Sequence, residues 1–346
     1  MRLRMGLRVL RRARDEVQIG TDVRWAVRLT GLTAGEVDLL LTLDRGASTR
    51  GLLPLAQQLQ LAPGRLDDLL AALDRARLLA PERAGTDPGT GPGPSDAGPD
   101  AAIWARLLPD GDGAALLAAR HDRVVGLLGA GRVGLSAAVT LAAAGVGAVL
   151  VDDDRPVSAA DLGVGGYTAR DLGTPRRGAA ARILRDLAPR VRTTAPARTR
   201  PDVLVLVEHG ATDAVRARVL MSEGVVHLSV LVRDGDVVVG PLVRPGSSPC
   251  LRCLDLYRAD ADEHWPAVAA QLVGADRTRP PEEETVLAAV AGPLAAGQVL
   301  AQLDGTSPRT LGAALEITLP EVVPRLRVWS VHPRCGCTGP RAASGR

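Results

Sequence analysis

The chain has 346 residues, 46% of them hydrophobic, 23% charged and 2% aromatic, with a formal net charge of +3. This length suffices for one large domain or two smaller ones, each with a buried core. The small net charge and the scarcity of aromatic residues argue against a nucleic-acid partner.

Two further classes are excluded by the pattern of apolar residues. Apolar stretches such as 133–150 are interrupted by glycine, so no membrane partner is predicted. Residues 1–16 carry arginine every few positions and lack an apolar segment of signal-peptide length. We therefore expect a cytoplasmic protein.

The first 80 residues predict a small winged-helix-like α+β unit. Short strands are expected over 7–10, 16–20 and 26–29, and helices over 33–43, 49–59 and 65–75. Thr33 and Glu36 have the spacing of a capping box at the start of the first helix. An ordinary small α+β cap on a larger domain is the alternative.

Residues 81–100 predict a flexible linker, because they are almost entirely Pro, Gly, polar or charged. Beyond it, residues 101–346 alternate apolar strands with helices, which favours a doubly wound parallel sheet. The predicted strands are 124–128, 146–151, 203–207, 225–230 and 237–243, followed by late, antiparallel strands over 311–319 and 325–330. The predicted helices are 103–120 with a break at 109–113, 132–144, 176–187, 211–223 and 282–303.

A glycine pattern follows the first strand of this α/β region. Gly129, Gly131 and Gly134 can supply a tight turn, close approach of backbone to phosphate, and close packing of helix on strand. Asp152 ends the next predicted strand, where a ribose-binding carboxylate is expected. The pattern predicts a nucleotide site; a glycine turn kept for packing is the alternative.

The four cysteines form two close pairs that predict one tetrahedral zinc site. Cys250 and Cys253 are spaced as a zinc knuckle, and Cys335 and Cys337 complete four thiolates. The rival hypotheses are a redox pair and coincidence. A redox pair normally starts a helix in a thioredoxin-like fold, and these surroundings do not predict that. His332 is a spare candidate ligand. With zinc bound to all four thiolates, none remains as a nucleophile.

Taken in order, these motifs resemble the ThiF/MoeB/HesA family, relatives of the ubiquitin-activating enzymes. The resemblance covers about residues 123–338 and is strongest at 129–134, 142–147, 151–154, 171–176, 249–254 and 335–337. It implies a ThiF-type Rossmann-like sheet that binds ATP and Mg²⁺, carries a structural Zn²⁺ and acts as a homodimer. It also implies adenylation of the terminal carboxylate of a peptide or small protein. A nicotinamide-dependent dehydrogenase fits the glycines but leaves the cysteines unexplained.

The resemblance also assigns roles to single residues. Gly129, Gly131 and Gly134 would hold phosphate and Asp152 the ribose. Arg176 falls where the family has a phosphate-binding Lys, and Glu208 falls close to its magnesium-binding Asp; these two are the candidate catalytic residues.

Two departures weaken the resemblance at the nucleotide site. Asp161 stands where the family has Asn, and the family's nearby Arg is absent. A carboxylate beside a triphosphate is unfavourable, because adenylation needs cations directed at the phosphates. Arg155 and Arg170 are the candidates to replace the missing Arg.

The first 80 residues also resemble the PqqD-like winged-helix element that recognises leader peptides in natural-product maturation. There the peptide adds a strand to a sheet edge. ThiF-like proteins of thiazole- and oxazole-forming pathways combine both parts. We therefore expect an ATP-binding ThiF-like protein that adenylates or presents the carboxylate of a peptide or small protein. The alternative is a non-catalytic adaptor that delivers a leader peptide to a partner cyclodehydratase. Asp161 and the missing Arg favour the adaptor.

Overall fold

The computed structural model describes residues 1–4, 7–23, 26–44, 48–80, 98–108, 110–276 and 282–338. Most of the predicted linker, residues 81–97, lies outside the described residues. Its last three residues were predicted wrongly, because they open a helix that begins at Gly98. The chain divides into two compact units, Met1–Leu117 and Ala118–Arg346.

The first unit contains two small antiparallel sheets and several helices. Its strands are β1 (Arg2–Leu3), β2 (Val9–Ala13), β3 (Glu16–Ile19), β4 (Val27–Leu29) and β5 (Leu79–Ala80). Its helices are α1 (Ala34–Leu43), α2 (Leu52–Gln58), α3 (Arg65–Arg75) and α4 (Gly98–Leu107), and α5 (Gly113–His121) runs across the point of division. β1 pairs with β5, and β3 lies between β2 and β4.

Local sequence explains the first unit well. Thr33 and Glu36 form the predicted capping box at α1, since the Glu36 amide donates to Thr33 Oγ1 and Glu36 accepts from the Thr33 amide. In α3 the apolar stripe buries Leu69 and Leu73. The predicted three strands followed by three helices correspond to β2, β3 and β4 followed by α1, α2 and α3, whereas β1 and β5 were not predicted.

The second unit is built on one mixed sheet of seven strands. Its strands are β6 (Val124–Leu128), β7 (Ala148–Asp152), β8 (Val203–His209), β9 (His227–Val232), β10 (Asp236–Val243), β11 (Ala313–Thr318) and β12 (Arg325–Val328). Its further helices are α6 (Arg132–Ala143), α7 (Arg176–Leu187), α8 (Ala214–Glu223), α9 (Leu251–Ala261), α10 (Trp265–Asp276) and α11 (Thr285–Leu303). The sheet order is β12-β11-β10-β9-β8-β6-β7.

The α/β prediction is confirmed, with β7, β6, β8 and β9 parallel and β10, β11 and β12 antiparallel. The sequence analysis predicted no helix over 251–276, where the structure has α9 and α10.

The core of the second unit lies where α6 and α11 pack beside the sheet. Small residues let these two helices approach: Gly292 of α11 lies against Ser136 of α6, where a side chain would collide. Among the described helices, α11 alone is long and apolar enough to cross a membrane. Its buried face, which includes Ala288, Ala291 and Ala295, belongs to the main hydrophobic core.

The parallel strands determine where a site can form. β6, β7 and β8 run in the same direction, so their carboxyl ends meet at one edge of the sheet. Gly129 follows β6, Asp152 ends β7, and Glu208 lies next to the end of β8. Ligands bind at this edge in open α/β sheets.

Candidate functional site

The glycine loop after β6 has the close approaches that the sequence pattern requires. Gly129 has φ +89°, and a Cβ there would lie 2.5 Å from the Val207 carbonyl oxygen. A Cβ on Gly134 would collide with the Gly129 carbonyl. Gly131 is the N-cap of α6 and has no side chain to cap the helix. The loop therefore leaves the amides at the start of α6 open to an external acceptor.

That acceptor is Glu283, which precedes α11. Its Oε2 accepts from the Val133 amide at 2.6 Å, and its Oε1 lies 2.9 Å from His209 Nε2. The side chain of Glu283 is 8% exposed. A Cβ on Gly131 would collide with this carboxylate. The anion position of the loop is thus filled by the chain itself.

Beside the loop, Arg176 is held by two carboxylates. Its Nη2 lies 2.6 Å from Asp161 Oδ1, its Nε lies 3.3 Å from Asp161 Oδ2, and its Nη1 lies 3.2 Å from Asp153 Oδ2. Arg176 and Asp161 are both buried. Burial alone would lower the pKa of Arg176, but Asp161 and Asp153 raise it above its ordinary value. The predicted phosphate-binding cation is therefore already neutralised.

Asp161 is fixed from its other side by its own turn. Its Oδ2 accepts from the Ser158 amide at 2.8 Å and from Ser158 Oγ at 2.9 Å. The carboxylate that departs from the family's Asn thus caps a short 3-10 helix and binds Arg176. An amide in its place would lack the charge that balances Arg176.

Asp153, rather than Asp152, is the buried acid of this loop. It accepts from the Ala130 amide at 2.8 Å and from Arg155 Nε and Nη2 at 3.0 and 3.1 Å. Burial alone would raise the pKa of Asp153, but these hydrogen bonds and the charge of Arg176 lower it. Arg155, a candidate to replace the family's missing Arg, is therefore already bound to Asp153.

Asp152 and Glu208 lie at the strand ends where the sequence placed them. Asp152 is exposed at the end of β7, and its carbonyl accepts from the Gly129 amide at 3.4 Å. Glu208 is buried; its Oε1 accepts from the Asp213 amide at 3.2 Å and from Arg216 Nη1 at 2.7 Å, and its Oε2 has no partner among the described residues. Burial raises the pKa of Glu208.

The four cysteines form a separate cluster. Sγ–Sγ distances are 3.9 Å for Cys250 and Cys253, 3.7 Å for Cys250 and Cys335, and 3.5 Å for Cys253 and Cys337. All four sulfurs lie within 4.8 Å of one another. Zn–S bonds of about 2.3 Å at tetrahedral angles place sulfurs about 3.8 Å apart, so the cluster fits zinc.

The surroundings of this cluster correct one step of the sequence argument. Cys250 is the N-cap of α9, so the first pair does start a helix, contrary to the expectation. A metal site is favoured because the sulfurs of Cys335 and Cys337 lie within contact distance of the first pair. His332 is not a ligand in this arrangement, because its Nε2 lies 2.9 Å from Asp260 Oδ2 and its Nδ1 accepts from the Arg334 amide.

Burial and hydrogen bonding act in opposite directions on these thiols. Burial raises the pKa of Cys337 to about 11. Burial alone would also raise the pKa of Cys253, but hydrogen bonds with the backbone of His332 and Cys250 lower it below its ordinary value. Cys253 is therefore more readily deprotonated for a metal than Cys337.

A cavity of about 970 Å³ lies between α8, α9 and α10, beside the cysteines. Its lining is mainly aliphatic and includes Cys250, Cys335 and Cys337 but none of the glycine-loop residues. Asp255, a half-buried acid of this lining, accepts from Trp265 Nε1 at 3.3 Å. The cavity is therefore distinct from the glycine loop.

A ThiF family model matches residues 113–337, more than half of the chain. The chain belongs to the ThiF family. The match begins at the first residue of α5 and ends at Cys337, so it includes the glycine loop and all four cysteines. A comparison with curated proteins finds no match.

Solved structures share the fold of this ThiF protein at low sequence identity. E. coli MccB with ATP is 14% identical, with a TM-score of 0.67, covering 98% of this chain and 99% of that chain. MccB with N-formylated MccA, described as a Microcin C7 biosynthetic enzyme, has 14% identity, a TM-score of 0.68 and the same coverage. Selenomethionine PaaA has 14% identity and a TM-score of 0.67, covering 93% of this chain and 98% of that chain. At this identity the likeness concerns the fold.

The arrangement of this ThiF protein does not fit a bound triphosphate. Glu283 fills the anion position of the loop, and Arg176 is neutralised by Asp161 and Asp153. Among the described residues, Glu208 Oε2 is a buried carboxylate oxygen left open to Mg²⁺, but Mg²⁺ usually also takes the nucleotide's phosphates as ligands. The four-cysteine cluster, in contrast, fits zinc without rearrangement.

Sequence reasoning missed two residues of the site. The sequence analysis assigned no role to Asp153, which its burial distinguishes from the neighbouring acids Asp152 and Asp154. Glu283 falls at the start of the predicted helix 282–303, and the sequence analysis gave it no role in the glycine loop. Glu284 does cap α11, by accepting from the Val286 and Leu287 amides. No local pattern indicates that Glu283 reaches a helix 150 residues earlier.

Proposed function

We propose that this protein is a peptide-binding adaptor on a ThiF fold, and that its nucleotide site does not adenylate. It binds a leader peptide through its first unit and delivers the precursor to a partner enzyme of the cyclodehydratase class. The observation that carries this proposal is the buried contact of Arg176 with Asp161 at 2.6 Å.

The electrostatics of the loop support a silent nucleotide site. Adenylation requires positive charge directed at the α-phosphate as charge develops there. Two arginines lie beside the buried acid of the loop. Arg155 forms an ion pair with Asp153, and Arg176 forms ion pairs with both Asp153 and Asp161. Two positive and two negative side chains leave no net positive charge for a triphosphate.

The first unit supports peptide binding by strand addition. β2 and β4 flank the three-stranded sheet, and neither has a second strand partner among the described strands. An extended peptide can therefore pair with a sheet edge through main-chain hydrogen bonds. MccB, which shares the fold over 98% of this chain, has been solved with the peptide MccA.

Adenylation of a peptide carboxylate is the second candidate. It is favoured by the intact glycine geometry, by the exposed Asp152 and by the unpartnered Glu208 Oε2. On this alternative Arg176 and Glu283 change partners when ATP and Mg²⁺ bind.

Two measurements on the full chain separate these functions. Peptides are first selected by display against the protein, and their binding is compared with that of Arg28→Pro, a change in β4 that disturbs the sheet edge. The selected peptides are then used in ATP–pyrophosphate exchange, with Asp152→Ala as control. The adaptor predicts peptide binding that Arg28→Pro weakens and Asp152→Ala leaves unchanged, without exchange. Peptide-dependent exchange that Asp152→Ala abolishes would establish the enzyme instead.

We further propose a cytoplasmic homodimer. Four thiols held at metal-binding distances, rather than as disulfides, support a reducing compartment. The ThiF resemblance supports the dimer, which light scattering of the purified chain tests directly. A monomer at all concentrations would contradict it.

A further inference from the structure

The start of α6 is occupied by a side chain from a distant part of the chain. The amides of a helix's first turn carry a partial positive charge and need acceptors. Gly131 supplies none, and Glu283 Oε2 accepts from the Val133 amide at 2.6 Å. A nucleotide phosphate makes this same interaction at a glycine loop.

Glu283 also contacts the last residue of β8 and a side chain of α6. Its Oε1 lies 2.9 Å from His209 Nε2, and the His209 and Glu283 side chains are 2% and 8% exposed. Arg132 Nη1 donates to the Glu283 carbonyl at 3.0 Å and to Thr285 Oγ1 at 3.1 Å. Backbone and side chain of residue 283 are thus both fixed against the glycine loop.

The acids on either side of Glu283 differ from it in burial and in hydrogen bonding. Glu284 caps its own helix in the ordinary local manner, with Oε2 accepting from the Val286 amide at 2.8 Å. Glu282 is exposed. The dipole of α11 therefore accounts for Glu284, whereas Glu283 compensates the dipole of α6.

We propose that Glu283 is an autoinhibitory internal anion that closes the glycine loop to phosphate-containing ligands. A phosphate placed at the Val133 amide would overlap the Glu283 carboxylate, which already contacts Gly131, and would be repelled by its charge. Nucleotides and pyrophosphate bind this loop only when Glu283 leaves it. The inference rests on the loop contacts and not on the proposed function, because either an adaptor or an enzyme can carry such a contact.

The test measures binding of pyrophosphate alone and of ATP alone by titration calorimetry at constant ionic strength. Four full-length proteins are compared: the natural chain, Glu283→Ala, Glu283→Gln and the matched control Glu282→Gln. Removing the competing charge should tighten pyrophosphate binding at least about tenfold in both Glu283 variants. Glu282→Gln should bind as the natural chain does.

Urea unfolding shows whether each variant is folded, so that unchanged pyrophosphate binding can be attributed to the site and not to misfolding. Glu283→Ala removes a hydrogen-bond acceptor from α6 and could prevent folding. Glu283→Gln keeps the size of the side chain and one acceptor oxygen. If the alanine variant does not unfold cooperatively, the pyrophosphate affinity of Glu283→Gln alone tests the proposal. Folded Glu283→Gln with the pyrophosphate affinity of the natural chain overturns the proposal. Pyrophosphate exchange catalysed by the natural chain would contradict the adaptor function and leave this comparison unaffected.

Discussion

Three carboxylates account for the state of the glycine loop at the scale of single residues. Asp153 accepts a hydrogen bond from the Ala130 amide, and Glu283 accepts one from the Val133 amide. Asp161 and Asp153 form ion pairs with Arg176. Each is buried or nearly so, and each has a partner of opposite charge or a donor. Acids in such positions are structural unless a ligand displaces them.

Asp161→Asn tests how much the buried pair stabilises the second unit. Removing one member of a buried ion pair leaves the other charge poorly compensated, although Asp153 still contacts Arg176. We expect the free energy of unfolding in urea to fall by about 1–3 kcal/mol. Asp186→Asn, which removes the exposed partner of Arg182, should change it by less than about 0.5 kcal/mol. Equal effects of the two changes would contradict a special role for Asp161.

Glu208 predicts a defined contribution to the pH dependence of stability. Burial raises its pKa above the ordinary value of 4.5, so between the two values the folded chain binds a proton that the unfolded chain has released. The free energy of unfolding contributed by this group therefore falls as the pH rises through that window. Glu208→Gln removes this fall, so the loss of stability as the pH rises above 4.5 should be smaller than in the natural chain. Urea unfolding across this range measures it, and parallel curves for the two proteins would contradict the assignment.

At the scale of elements, the loop between β6 and α6 depends on backbone geometry. Gly129→Ala forces a side chain into φ +89° and against the Val207 carbonyl, and should cost more than about 2 kcal/mol. Gly178→Ala, in α7 with open space around it, should stabilise the chain by about 0.5–1 kcal/mol. Thermal unfolding compares the two; a harmless Gly129→Ala would mean that the loop is not close-packed.

The four-cysteine cluster joins the start of α9 to the end of the described chain. We expect one zinc per chain by elemental analysis, and loss of the metal in Cys253→Ser with a fall in melting temperature of more than about 5 °C. Ser247→Ala, in the loop before the cluster, should retain zinc. A natural chain purified without chelators that contains no zinc, and gains none when zinc is added, would remove this explanation of the cysteines.

What the sequence predicts correctly is local. The limits of α3 and α7 follow from apolar spacing, and the cysteine cluster follows from two pairs each formed within a few residues. The contacts of Glu283 with Val133 and of Asp161 with Arg176 join separate elements, and nothing in the local sequence encodes them. Apolar periodicity also failed at α10, whose residues are hydrophobic on most sides.

At the scale of the whole molecule, the chain combines two units. The first is a small unit whose outer strands β2 and β4 have no further partner among the described strands, and the second is a ThiF unit whose glycine loop is filled by Glu283. The first has the feature that peptide binding needs, and the second keeps the fold of an adenylating domain with its charges satisfied internally. An adaptor requires binding and partner recognition, and neither depends on a working nucleotide site.

ATP–pyrophosphate exchange by the natural full-length chain, with a peptide that it binds, tests the central claim most directly. The account predicts no exchange above the rate without protein, while the peptide stays bound and zinc stays in place. Exchange that requires the peptide and disappears in Asp152→Ala would contradict the account and show that the site adenylates.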